Sequence, residues 1–69
     1  MSENIIEGIQ RQCARVRDEI LPLYVQIGAP GAPAALMMRA SITNAEKSIA
    51  SGDVIAMIRA YKDLEGYKS

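Results

Sequence analysis

A chain of 69 residues makes a single domain. At this size only about 60% of the surface exposed by the unfolded chain becomes buried, so a lone copy is marginally stable. One cysteine and no histidine exclude an intramolecular disulfide, and they remove the commonest metal ligand and the commonest neutral-pH general base. Eight basic residues balance eight acidic ones, which argues against nucleic acid as a partner, because its binders carry a basic face.

Small domains that lack disulfides and metals usually gain stability from self-association, so the first expected partner is the chain itself. No apolar run approaches the roughly 20 residues that cross a bilayer, and the acidic opening "MSENIIEG" lacks the basic start of a secretory signal. The expected location is therefore the cytoplasm, with no membrane partner. Without Phe or Trp, and rich in Ala, Ile and Met, the chain has an aliphatic core suited to helix-on-helix packing.

The expected fold class is all-α: three helices, a long kinked first helix packed on a helix-turn-helix hairpin, assembling as a homo-oligomer. One domain covers 1–69. Helix one is predicted over about 4–27, where Ile6, Ile9, Cys13, Val16, Ile20, Leu23 and Ile27 alternate spacings of three and four. Asn4 and Glu7 resemble a capping box, with Ser2 as a rival start. Pro22 lies inside the pattern and predicts a kink near Asp18 to Pro22. Gly28 stops the helix, and a loop over 28–33 follows. Helix two is predicted over about 34–51 on Ala35, Met38, Ile42, Ala45 and Ile49, with Pro33 in its first turn. Gly52 then ends it and Asp53 caps helix three, about 54–66, which carries Val54, Met57, Ile58, Tyr61 and Leu64. Further apolar residues beside these seams exceed what one small domain hides. Ile6, Ile9, Leu21, Leu36, Met37 and Ile55 are the expected oligomer interface.

No catalytic set is expected. The carboxylates sit on polar faces or at helix starts, and without histidine no Ser/His/Asp or Cys/His arrangement forms. Cys13 occupies a seam position and reads as a small buried hydrophobe. No metal or cofactor is expected. Two features admit a binding role. "RQCARVR", residues 11 to 17, holds three arginines and no acid. It is either a solvated or salt-bridged face, or an anion-binding face, since the planar guanidinium suits phosphate. "QIGAPGAPAAL", residues 26 to 36, leads into a helix start with no Ser, Thr, Asp or Asn cap and with Arg39 nearby. It is either a stiff connector or an anion-binding loop. It is not a P-loop, because no G-K-[ST] follows. The candidate ligand-binding residues are Arg11, Arg15, Arg39, Gly31 and Tyr24. The three tyrosines, Tyr24, Tyr61 and Tyr67, are expected mainly to pack.

The stretch from "IGAPGA" through "MMRASITNAEKSIASGDVIAMIRAYKDLE" resembles small uncharacterised helical proteins of tailed phages and prophages, over about residues 26–65. The resemblance carries no assigned site residues. It implies a protein that acts by occupancy in the cytoplasm of a host bacterium. The leading expectation is a small oligomeric, non-enzymatic binding protein that counters a host defence by sequestering an anionic, nucleotide-type signal. The alternatives are an inhibitor or adaptor of a host protein, working through an exposed apolar helix face and Met37, Met38 and Met57, and a structural or regulatory phage component.

Overall fold

The computed structural model describes residues 3–68, and these form three helices with no strand. Helix α1 runs over residues 5–27 in three segments: α-helical over Ile5–Arg15, π-helical over Val16–Ile20 and α-helical again over Leu21–Ile27. Asn4 opens it. The Asn4 side-chain oxygen accepts from the Glu7 backbone N–H at 2.8 Å, while its amide donates to the Glu7 carboxylate at 2.8 Å. One unpaired backbone N–H of the first turn is thus capped, while the return bond runs between the two side chains instead of to the Asn4 N–H of a full capping box. Ser2, the rival start, lies outside the described residues.

Where a kink is expected, the backbone forms the π-helical turn. The Leu21 N–H donates to the Val16 carbonyl, five residues back. Pro22 follows directly and has no N–H for the Asp18 carbonyl, so a wider turn just before it costs less than it would elsewhere. Its consequence is a change of register. One extra residue rotates everything downstream by about 100°, the advance per residue of an α-helix. Ile9, Cys13, Val16 and Ile20 are buried as the spacing predicts, but the seam does not continue through Leu23 and Ile27. Those two are 46% and 58% exposed, while Leu21 and Tyr24 turn inward instead.

Gly28, with φ +85°, ends α1, and a single 3-10 turn over Ala29–Gly31 leads into helix α2, Ala32–Ser51. Its predicted seam packs into the core, with Ala35, Met38, Ile42 and Ala45 buried and Ile49 half-buried. Gly52, with φ +70°, donates to the Ser48 and Ile49 carbonyls and closes α2. A left-handed residue of this kind is cheapest as glycine. Asp53 starts helix α3, Val54–Glu65, by accepting from the Ala56 N–H at 3.1 Å. Met57, Ala60 and Leu64 complete the core.

Several surface expectations are corrected by this packing. Ile9 and Leu21, expected at an oligomer interface, belong to the chain's own core. Met38 and Met57, expected on an adaptable partner surface, are buried as well. Val54 and Ile58, expected on the inner seam of the last helix, stand largely in solvent because Ala60 and Tyr61 take the inward positions. Ile6, Leu36, Met37 and Ile55 remain exposed. The molecule is elongated, 37 × 25 × 16 Å, with a radius of gyration of 12.3 Å against roughly 11 Å for a compact domain of this length. No helix among the described residues is long and apolar enough to cross a membrane.

Candidate functional site

The arginines of "RQCARVR" point to different tasks. Arg11 donates through Nε and Nη2 to the Glu3 carboxylate at 3.0 to 3.1 Å, and through Nη2 to the Tyr61 hydroxyl at 3.2 Å. Those partners hold its guanidinium above its ordinary pKa, the Glu3 hydrogen bonds first and the Tyr61 hydrogen bond next. Gly8 leaves room for this arrangement, since a Cβ there would stand 2.9 Å from Tyr61 Cε2. Arg15 donates through Nε to Gln12 Oε1 at 2.8 Å and through Nη2 to the Leu64 carbonyl at 2.9 Å. A cation at the open carbonyl end of a helix is favourably placed, so Arg15 ties α1 to the last turn of α3. Arg17 pairs with Asp18 at 3.2 Å in solvent. All three guanidinium groups have protein partners: Arg11 and Arg15, four residues apart, both reach the last helix, at Tyr61 and Leu64, while Arg17 pairs with its neighbour Asp18.

Replacing Arg15 with Met keeps most of the apolar stem but strands a buried partner. Gln12 is buried and would lose the donor to its side-chain oxygen. The expected loss is about 1–3 kcal/mol, read as a lower melting temperature. No change on Arg15→Met would show that the bond to Leu64 contributes nothing.

Tyr24, Gly31 and Arg39 come together at the other end of the molecule. A groove of about 430 Å³ lies there between the end of α1 and the start of α2, lined by Tyr24, Val25, Ala29, Ala32, Leu36 and Arg39 among others. Gly31 is buried beneath it. Its N–H donates to the Gly28 carbonyl at 3.0 Å, and its Cα packs so closely on α1 that a Cβ would collide with the Tyr24 carbonyl. Gly31 is therefore a close-approach residue of the connector. The start of α2 has no side-chain cap and no acid in its first turn. Arg39, on the groove wall, makes no ion pair among the described residues.

What dominates this end is its lack of charge. No residue from 21 to 38 is ionisable except Tyr24, yet much of the stretch is in solvent, with Leu36 69% and Met37 62% exposed beside Leu23, Val25 and Ile27. Such a surface suits contact with another apolar surface, with Tyr24 and Arg39 as polar handles.

Two further hollows escape sequence reasoning. One, of about 570 Å³, runs between α2 and α3, with Lys47 and Arg59 facing it together with Asp53 and Asp63. Its charges cancel. The spacing of Asn44, Lys47 and Ser51 marks one stripe of α2, but the facing stripe of α3 is fixed only by the turn at Gly52. The other, of about 350 Å³, includes Cys13, Arg17 and Glu46. The Cys13 thiol there is pushed above its ordinary pKa, by burial first and by Glu46 next, against a smaller opposing effect of Arg17. A thiol held protonated is a poor nucleophile. Among the described residues no group of three or more His, Cys, Asp or Glu could hold a metal ion.

No protein-family model matches the chain, and no curated protein or solved structure matches it.

Proposed function

We propose that this chain is a non-enzymatic binding protein that assembles with copies of itself and acts by covering a surface of another protein. The observation that carries this reading is the pair of aliphatic patches at opposite ends of α2. One surrounds the turn between α1, bent at its π turn, and α2, with Leu23, Val25, Ile27, Leu36 and Met37. The other opens α3, with Val54, Ile55 and Ile58. The 20 residues of α2 separate them by about 30 Å. Two separated patches let one molecule hold a copy of itself and a target at once. Fully burying one aliphatic side chain contributes about 1.5–3 kcal/mol, so three or more half-exposed ones make a substantial drive to associate. The resemblance of residues 26–65 to small phage proteins accords with a phage-encoded protein that blocks a host defence component in the bacterial cytoplasm.

The test is retention of host proteins from a bacterial lysate by the immobilised chain. The Ile55→Glu and Met37→Glu variants are carried in parallel, each first shown to keep its helical circular dichroism. A specific partner is lost with at least one of them. Identical retention by all three proteins would sink the reading.

A second reading keeps the nucleotide-type signal, because Tyr24 and Arg39 line the same groove beside the uncapped start of α2. It predicts that calorimetric titration with a panel of linear and cyclic nucleotides finds one ligand in fixed ratio to the subunits. Arg39→Ala then weakens it by about ten- to a hundredfold, as loss of a charged hydrogen bond does, while Arg11→Ala leaves it unchanged. A panel without a ligand removes this reading.

A further inference from the structure

The end of the molecule formed by the α1–α2 turn carries both a hollow and the side chains to fill one. The groove of about 430 Å³ opens between Tyr24 and Ala32, and the exposed Leu36 and Met37 stand on its border and beside it. A surface that holds a hole and a knob together is self-complementary, which is what a two-fold interface between identical copies requires. We infer that a second copy of this chain covers this end as a two-fold dimer, with Leu36 and Met37 of each protomer meeting the groove of its partner. This rests on the reading of the aliphatic patches as binding surfaces and assigns one of them to the chain itself.

Two quantities accord with a second copy, in addition to the self-complementary shape. The accessible surface is 4701 Å², about 450 Å² more than the roughly 4250 Å² expected of a folded monomer of this mass. That excess is over half of the roughly 800 Å² one partner gives to a standard interface. The chain's formal net charge is zero, and Arg39 is the one charged side chain lining the groove, so two copies meet without demanding a complementary charge and with only the exposed Arg39 side chains to keep apart. The π-helical turn is the structural cause. By shifting the register of α1 it sends Leu23 and Ile27 outward, onto the face that the second copy covers.

The experiment is sedimentation equilibrium of the full chain and two variants, each checked for helical circular dichroism. The wild type sediments as a dimer that does not weaken from low to high salt, since the contact holds no ion pair and salt screens the Arg39 side chains from each other. Leu36→Glu weakens the dimer by roughly a hundredfold or more, because a carboxylate cannot be buried there without a partner. Ile55→Glu, at the far end of α2, leaves it intact. Where a glutamate at 36 disturbs folding, Leu36→Ala serves, with a smaller weakening in the same direction.

A dimer dissolved by Ile55→Glu but not by Leu36→Glu would overturn the assignment while leaving the patches as binding surfaces. A folded monomer at every concentration, or one that instead partitions onto neutral phosphatidylcholine vesicles through Leu36, would overturn it as well. A dimer that weakens steeply with salt would do so too. Failure of the function reading is separate, for it shows as host-protein retention that neither variant changes.

Discussion

Gly31→Ala is expected to remove about 3 kcal/mol of stability and lower the melting temperature by about 12–24 °C, taking overpacking at its upper magnitude and the usual 4–8 °C per kcal/mol for a domain of this size. The reason is steric and not conformational. Gly31 sits at φ −88° and ψ −8°, which any residue adopts, so alanine brings no backbone strain. Its Cβ, however, would overlap the Tyr24 carbonyl oxygen and stand 3.0 Å from the Tyr24 carbonyl carbon and 3.2 Å from its Cα. Those are main-chain atoms inside the last segment of α1, where they cannot swing aside as a side chain would. Relief requires α1 and α2 to part at their closest approach, opening the groove and loosening Leu21 and Ala35 behind it. Thermal unfolding followed by circular dichroism reads the effect. A melting temperature within about 3 °C of wild type, equivalent to less than about 1 kcal/mol, would show that the turn has slack and that the connector is not held by this contact.

Within the "GAPGAP" stretch the glycines and their neighbours have different tasks. Gly28 and Gly31 serve the chain reversal, one through a positive φ and the other through close approach. Ala29, Ala32, Leu36 and Arg39 are the surface built on that reversal. The loop is a tight connector, and its Gly28 and Ala29 line the groove together with residues of α1 and α2.

The parts of this fold that sequence reveals are the ones set by neighbours in the chain. Asn4 with Glu7, Asp53 with Ala56, and the stops at Gly28 and Gly52 all act within four residues, so local chemistry specifies them. The seam of α2 is equally legible because nothing interrupts its spacing from Ala35 to Ile49. Beyond Ile20 the periodicity misleads. A proline announces an irregularity, but the same residues fit a bend that keeps register and a π turn that shifts it by one. Only packing decides that Tyr24 goes in and Leu23 goes out. The arginines are illegible for a different reason. Arg15 meets the Leu64 carbonyl 49 positions away, and Arg11 meets Tyr61 50 positions away. An acid-free run looks unpaired in the chain, although Glu3 and Asp18 lie just outside it and two further partners arrive from another helix.

Ile9→Ala is expected to cost about 2–5 kcal/mol, the range for truncating a fully buried aliphatic side chain. At about 0.05–0.15 kcal/mol per residue, a chain this short can lose half or more of its stability by this one change. Ile9 is completely shielded within a single chain, among Cys13 and Val16 of its own helix and the buried residues of α2 and α3. The loss should therefore be the same in dilute and concentrated protein. Were Ile9 instead part of an interface between copies, the penalty would grow with concentration, because mass action lends stability only to the associated form. Ile6, three residues earlier and 38% exposed, is the internal comparison. Ile6→Ala should cost less than about 1 kcal/mol of domain stability, as partly exposed sites do. Chemical denaturation of both variants at two protein concentrations a hundredfold apart separates the cases. A small, concentration-dependent effect at Ile9 with a large one at Ile6 would mean that α1 is rotated about its axis by roughly 60° from this orientation. The aliphatic end, which exists only because α1 changes register after Ile20, would then have to be drawn again from the first helix onward.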